Sequence, residues 1–123
     1  MIHIKLFEEH YLDLAQIDLV LVEKAPLYQS FALYLNDRKV GILDVGFYKD
    51  NLRYDEGEIV GINIDAQYQG KGLGKLAIRR LFDKFPKINY FLAMPTRDSI
   101  GFWESIGAEY SEDEYFVIKR GSI

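Results

Sequence analysis

Gln69-Gly70-Lys71-Gly72-Leu73-Gly74 joins two segments of different periodicity. Before it, Glu58-Ile59-Val60-Gly61-Ile62-Asn63-Ile64 is short and rich in branched residues, which predicts a strand. After it, Leu73, Ala77, Leu81 and Phe85 recur every four residues, and Leu76, Ile78 and Phe82 widen the stripe. That spacing predicts an amphipathic helix, with Lys75, Arg79, Asp83 and Lys84 mainly on its other side. Pro86 ends it, because the residue before a proline avoids the helical region. A helix N-terminus carries unpaired backbone N–H groups and about half a positive charge. Gly70, Gly72 and Gly74 let an anion approach the backbone without a Cβ in the way. Lys71 and Lys75 add charge at the same place, so the segment has the makings of a phosphate cradle.

Downstream, Ile88-Asn89-Tyr90-Phe91-Leu92-Ala93-Met94 predicts a buried strand. Strand, helix and strand in succession imply a parallel pair joined by a right-handed crossover. Thr96 or Asp98 is positioned to cap a second helix. Ser99, Phe102, Trp103 and Ile106 form its inner face, and Gly107 suits its left-handed end. Tyr115-Phe116-Val117-Ile118 predicts a last strand. Upstream, Phe31–Leu35 and Val40–Val45 flank the polar tetrad Asn36-Asp37-Arg38-Lys39, the pattern of a hairpin. Residues 17–24 favour a strand, stopped by Pro26. Ile2, Ile4 and Leu6 alternate with His3 and Lys5 as in a strand, residues 8–16 fit a short helix or a strand, and Asp50-Asn51 marks a turn. The expected fold class is α+β: a mixed, mostly antiparallel sheet with a central parallel strand pair flanked by helices, one domain over residues 1–123.

Composition narrows the function. Hydrophobic residues make up 49% of the 123, which argues against disorder. A net charge of −4 lacks the basic field that non-specific nucleic-acid binding needs, so no nucleic-acid partner is expected. With no cysteine there is no disulfide framework, cysteine metal site or cysteine nucleophile. No metal cluster is visible. No apolar run approaches the roughly 18 residues of a membrane span, and the start, Met1-Ile2-His3-Ile4-Lys5, lacks the apolar stretch of a signal peptide. The expectation is a cytoplasmic protein with no membrane partner. His3 and His10 are scattered, and the nine tyrosines read first as packing and rim residues.

Three phosphate loops compete for the glycine segment. A P-loop needs four residues between its first Gly and a Gly-Lys-Ser/Thr ending. Here Gly74-Lys75 is followed by Leu76, and Gly70 lies only four positions before Gly74. The dinucleotide fingerprint Gly-x-Gly-x-x-Gly fails because the third glycine comes one residue early. The third pattern fits. Gln69, Gly72 and Gly74 fill the Q/R-x-x-G-x-G/A signature of the GNAT acetyltransferases, and Ile62, Ile64, Tyr68, Gly70, Lys71 and Leu73 follow that family's wider habit. Ala66 departs from it where the family often has proline. A second stretch, Thr96 to Gly107, resembles the family's later helix through Ser99, Ile100, Phe102 and Gly107, with Trp103 where tyrosine is common. The resemblance spans roughly residues 28–119. The region between the first two strands is shorter than the family's usual pair of helices, which leaves the acceptor pocket open or completed by a second subunit.

The resemblance implies a GNAT-like fold and acetyl-CoA as co-substrate, with no metal. The pyrophosphate would rest on the amides of Gly70, Lys71, Gly72, Leu73, Gly74 and Lys75, behind Gln69. The pantetheine arm would pair with Ile62 and Ile64 like an added strand. A backbone N–H near Asn63 or Ile64 would polarise the thioester carbonyl. Phe102 and the start of the second helix, with Thr96 and Ser99, would cover the other side. A primary amine would attack the thioester directly, with Glu58 as the general base. Trp103 offers no acid for the departing thiolate. The Asp55-Glu56-Glu58 cluster favours a cationic small molecule or a protein amine as acceptor. The under-built N-terminal region and the aromatic content point to a homodimer. The alternative function is a catalytically weak or inactive module of the same fold that binds acyl-CoA or a protein partner.

Overall fold

The computed structural model describes residues 17–47 and 55–123. The strand expected at Ile2–Leu6, the ambiguous residues 8–16, His3, His10 and the turn at Asp50-Asn51 lie outside the described residues. Among the described residues, seven strands form one sheet: β1 (Ile17–Ala25), β2 (Tyr28–Leu35), β3 (Arg38–Gly46), β4 (Glu56–Ile64), β5 (Tyr90–Ala93), β6 (Glu109–Tyr110) and β7 (Phe116–Lys119). Their order is β1-β2-β3-β4-β5-β7-β6. Among these described strands only β4 and β5 run parallel, from Glu56↔Tyr90 to Ile59↔Ala93. The helix between them is α1 (Leu73–Lys84), and α2 (Ile100–Ser105) follows β5. The expected α+β class, with its central parallel pair, is the fold observed.

Alternation along each strand selects the core, and bulges in β3 and β4 reset it. In β3, Gly41 faces Leu33 while Lys39 faces Tyr34, so Val40 is the extra residue. In β4, Gly61 faces Asp44 while Ile59 faces Val45, so Val60 is the extra residue. A bulge places two residues opposite one and shifts the facing parity of everything beyond it. Val40 therefore shares the buried side with Leu43 and Val45, and Ile59 shares it with Ile62 and Ile64. Strict alternation would have put Ile62 and Ile64 on the face opposite Ile59.

Helix α1 buries Leu73, Ala77, Ile78, Leu81 and Phe82 against this side, and the Phe82 ring meets Phe91 of β5 at 5.0 Å. A fully buried side chain of this size contributes about 1.5–3 kcal/mol, so the α1 stripe is a main source of stability. Trp103 and Ile106 of α2 enter the same cluster. The far end of α1 is closed from the C-terminal segment. Arg120 donates to the carbonyls of Phe82 (3.0 Å), Phe85 (2.7 Å) and Ile88 (2.6 Å), and its guanidinium lies 4.9 Å from the Phe82 ring centroid. A cation at a helix C-terminus satisfies the last carbonyls and complements the dipole. The sequence held no periodic signal for this long-range clamp.

Several boundaries differ from expectation for local reasons. The β2–β3 turn contains two residues, Asn36-Asp37, instead of four, because Asn36 adopts φ +57 and lets Arg38 and Lys39 continue the ladder. Strand β5 is shorter than the predicted run, and Met94, just past the end of the β4 pairing, is 59% exposed. Neither Thr96 nor Asp98 caps α2. Ser99 occupies the cap position and its side chain bonds to Thr96 instead of to the helix. The short β6 was not anticipated, and β7 starts at Phe116 because Glu114 turns the chain at φ +67.

Candidate functional site

Pairing between β4 and β5 stops at Ile59↔Ala93, immediately before the Val60 bulge. Beyond that point the two strands separate, and a cleft of about 740 Å³ opens between β4, the start of α1 and α2. The register shows which backbone groups face it. The Asp65 N–H donates to the Val40 carbonyl at 2.8 Å, and Gly41 lies opposite Ile64. In an antiparallel ladder the residues bonded to one neighbour alternate. Asn63 therefore bonds towards β3, and Ile62 and Ile64 turn their N–H and C=O groups to the edge that β5 has left. The Ile64 carbonyl is occupied there by the Gln69 side-chain amide, at 2.8 Å. The sequence reading offered Asn63 or Ile64 as the donor to a carbonyl. The ladder removes the Asn63 amide, whose residue still lines the cleft.

The opposite wall is the first turn of α1. Gly72 is its N-cap, in the left-handed region at φ +80, and Gly70 lies at φ +75. No side chain caps this end. The first intrahelical bond runs from the Leu76 N–H to the Gly72 carbonyl at 3.1 Å. The amides of Leu73, Gly74 and Lys75 thus have no helical acceptor, as at every helix start. No protein atom lies within 4 Å of where a Cβ on Gly70 or Gly72 would sit. Gly74 is constrained differently: a Cβ there would come within 2.6 Å of the Phe102 ring. That close approach joins α1 to α2 across the cleft floor.

Gly70, Gly72, Leu73, Gly74, Lys75, Thr96, Ser99 and Phe102 all line this cleft with Ile62, Ile64 and Gln69. Lys71 is not part of the lining; its ammonium sits 5.9 Å from the Tyr68 ring centroid. Thr96 and Ser99 are tied to each other, with the Ser99 hydroxyl accepting from the Thr96 N–H at 2.8 Å and from its hydroxyl at 2.9 Å. Tyr68, Asp98, Ser105 and Ile106 also line the cleft and were not singled out from sequence as site residues. Tyr68 belonged to the motif, but its spacing alone gave no sign of where its ring would point.

Glu58 lies outside the cleft lining. It is half-buried on β4, opposite Gly46 of β3 and Leu92 of β5, one residue before the pairing ends. Its parity opposes that of Ile59, so it sits at the divergence point on the sheet face away from the core cluster. Asp55, at the foot of the strand, accepts from the Asn89 side-chain amide at 3.2 Å. Trp103 is 3% exposed, packs edge-on to Phe102 at 4.8 Å and belongs to the core cluster. It supplies volume to the core and presents no polar group to the cleft. Among the described residues no group of three or more His, Cys, Asp or Glu is arranged to hold a metal ion, and no helix is long and apolar enough to cross a membrane.

Comparison with known proteins agrees with this architecture. The model of the acetyltransferase (GNAT) family matches residues 2–108. An acetyltransferase from Thermus thermophilus is similar in structure, with a TM-score of 0.64 and 22% identity over 76% of this chain and 65% of its own. The chain thus spans slightly less than two thirds of that protein. Tetrahymena GCN5 has a TM-score of 0.64 at 14% identity, covering 80% of this chain and 72% of its own. The aminoglycoside acetyltransferase AAC(6')-Ib, solved in complex with coenzyme A, has a TM-score of 0.58 at 19% identity, covering 77% and 68%. No curated protein matches at the sequence level.

Proposed function

The chain belongs to the GNAT acetyltransferase family, and from that premise we propose that it transfers an acetyl group from acetyl-CoA to a primary amine. The observation that carries this reading is the open edge of β4. A strand that loses its parallel neighbour at Ile59 and leads to the uncapped start of α1 offers two things to one ligand. The Ile62 and Ile64 backbone groups suit an extended amide-bearing arm, as in strand addition. The amides of Leu73, Gly74 and Lys75 suit a pyrophosphate. The space above Gly70 and Gly72, where a Cβ would otherwise stand, fits the same assignment. Gln69 contributes by bracing the loop against Ile64.

In this proposal the amine nitrogen forms the new C–N bond as the C–S bond breaks, and the thiolate leaves. A backbone N–H on the open edge of β4 supports the carbonyl oxygen as negative charge develops. Glu58 receives the proton from the amine, directly or through water. The acceptor is a cationic small molecule or a protein amine, drawn by the acidic foot of β4. AAC(6')-Ib, which shares the fold, has been solved with coenzyme A and kanamycin. A cytoplasmic location is part of the same proposal.

Two measurements test this reading. Thiol release from acetyl-CoA is expected with a panel of primary amines, faster with polyamines or aminoglycosides than with neutral or acidic amines. No melting-temperature shift with coenzyme A would remove the cofactor assignment. A shift without turnover on any amine would leave the binding module as the function. Self-association as a homodimer is also proposed, and a sedimentation mass near 14.3 kDa at tens of micromolar would refute it.

A further inference from the structure

We propose that the sheet face over Gly61, between Asp44 of β3 and Val60 of β4, receives the acceptor, and that this acceptor is an unbranched alkyl diamine whose second ammonium meets Asp44. The inference rests on the acetyl-transfer reading above and narrows the class of amine. It starts from a glycine without a structural reason. Glycine in a strand interior weakens the strand, and it marks a place where something else approaches the backbone. Gly41 and Gly57 are accounted for inside the chain. A Cβ on Gly41 would run into the Asn63 carbonyl, and one on Gly57 would come within 2.6 Å of the Phe91 ring. Gly61 has no such neighbour: among the described residues, nothing lies within 4 Å of where its Cβ would sit. Its φ is not positive, so no left-handed backbone demands a glycine. The bulge at Val60 would require one only in its left-handed form.

Register fixes the face. Leu43 and Val45 belong to the core cluster, so Asp44 and Gly46 lie on the other side of β3. Glu58 and Val60 share that side. A Cβ on Gly46 would stand 3.9 Å from a Glu58 carboxylate oxygen and 3.4 Å from a Val60 methyl. Gly61 is paired with Asp44. The Asp44 carboxylate is held by the buried Ser30, whose hydroxyl donates to it, while Asp44 itself stays partly exposed. Ile42 and Val60 add exposed apolar surface beside Gly61.

Asp44 and Glu58 are diagonal partners across β3 and β4, since Glu58 faces Gly46. Diagonal partners have Cα atoms roughly 7–8 Å apart. The strip between these two carboxylates has an apolar wall at Val60 and no side chain at Gly61. A methylene chain suits that strip, because it needs apolar contact and little height. An ammonium at each end suits the two carboxylates. Glu58 takes the proton of the reacting amine in the reading above, and Asp44 holds the far end, which orients the near one. A polyhydroxylated ring finds no polar partner on Val60 or Ile42, and a monoamine makes no contact with Asp44.

The test is steady-state kinetics of the full chain with acetyl-CoA and a matched series: diaminopentane, pentylamine and kanamycin. The wild-type KM for diaminopentane is expected about tenfold below that for pentylamine, the range of one charge-assisted contact. Asp44→Asn keeps an oxygen for the Ser30 hydroxyl and is expected to bring the two KM values together. Gly61→Val is expected to melt at or above the wild-type temperature, because its Cβ meets nothing and valine suits a strand. The same variant is expected to raise the KM for both alkylamines at least ~10-fold. Acetyl-CoA affinity, measured by calorimetric titration, is expected to hold in both variants. Equal wild-type KM for diaminopentane and pentylamine, or a lower one for kanamycin, would overturn the inference and leave acetyl transfer standing. Wild-type kinetics in Gly61→Val would overturn it too. So would a loss of acetyl-CoA affinity in that variant, which would give the space to the co-substrate. Coenzyme A binding with no turnover on any amine would remove the acetyl-transfer reading, and this inference with it.

Discussion

Gly72→Val is expected to abolish coenzyme A binding while the chain remains folded. Gly72 sits at φ +80, a region that a β-branched residue enters only as an outlier. Leaving a non-glycine residue there costs about 1–3 kcal/mol, small enough for the α1 stripe to keep the helix in place. The strain would be relieved by rotating the Gly72 peptide, which would re-aim the first amides of α1. A valine that held the original backbone would fill the empty space above position 72, where no protein atom lies within 4 Å. Either outcome removes the phosphate cradle. The check is the melting-temperature rise that coenzyme A gives the wild type by mass action. A variant whose unliganded melting point is lowered but whose rise persists at near wild-type ligand concentration would refute the pyrophosphate assignment.

The second large effect is expected in turnover. Glu58→Gln is expected to lower kcat by at least ~10-fold, as loss of a general base does, with acetyl-CoA affinity unchanged. A primary amine with a lysine-like pKa of about 10.4 is mostly protonated at neutral pH and must lose a proton before it attacks. Glu58 is one residue from the end of the β4–β5 pairing, on the face away from the core cluster and outside the cleft lining. The amine would arrive from that face. Raising the pH supplies free amine, so the deficit of Glu58→Gln should shrink as pH rises. An unchanged kcat at a pH where free amine is scarce would assign proton removal to water or to another carboxylate. Trp103 bears on the other half of the reaction. Its side chain is in the core and offers no acid, and a thiol pKa of roughly 8.5 makes the thiolate a tolerable leaving group unaided.

Much of the site was legible because it is local. Gln69 to Lys75 is a strand-to-helix junction, and glycines before a four-residue apolar repeat specify an uncapped helix start whatever surrounds them. The positive φ at Gly70 and Gly72 follows from the same short stretch. The parallel pair was equally accessible, since an intervening helix constrains how two strands can join. The direction of side chains was not. Lys71 reads as a phosphate ligand by proximity, but its ammonium lies over Tyr68. Gln69 reads as a ligand by motif, but its amide is spent on Ile64.

By itself the amino-acid sequence determined the helix α1, its glycine entrance, the parallel strand pair it joins and hence the family. Those features depend on hydrophobic period and on the conformational freedom of glycine, which act over a few residues. Only the tertiary structure decided which edge of β4 is open and which groups face it. The bulge at Val60, a residue left 56% exposed, reverses the parity that the sequence alternation predicts, so that Ile59 and Ile62 share a face. Pairing of Asn63 with β3 turns its amide away from the cleft, and the Arg120 clamp at the far end of α1 joins residues more than thirty apart. These outcomes arise from matching ladders between strands, where one extra residue on one partner redirects every group beyond it.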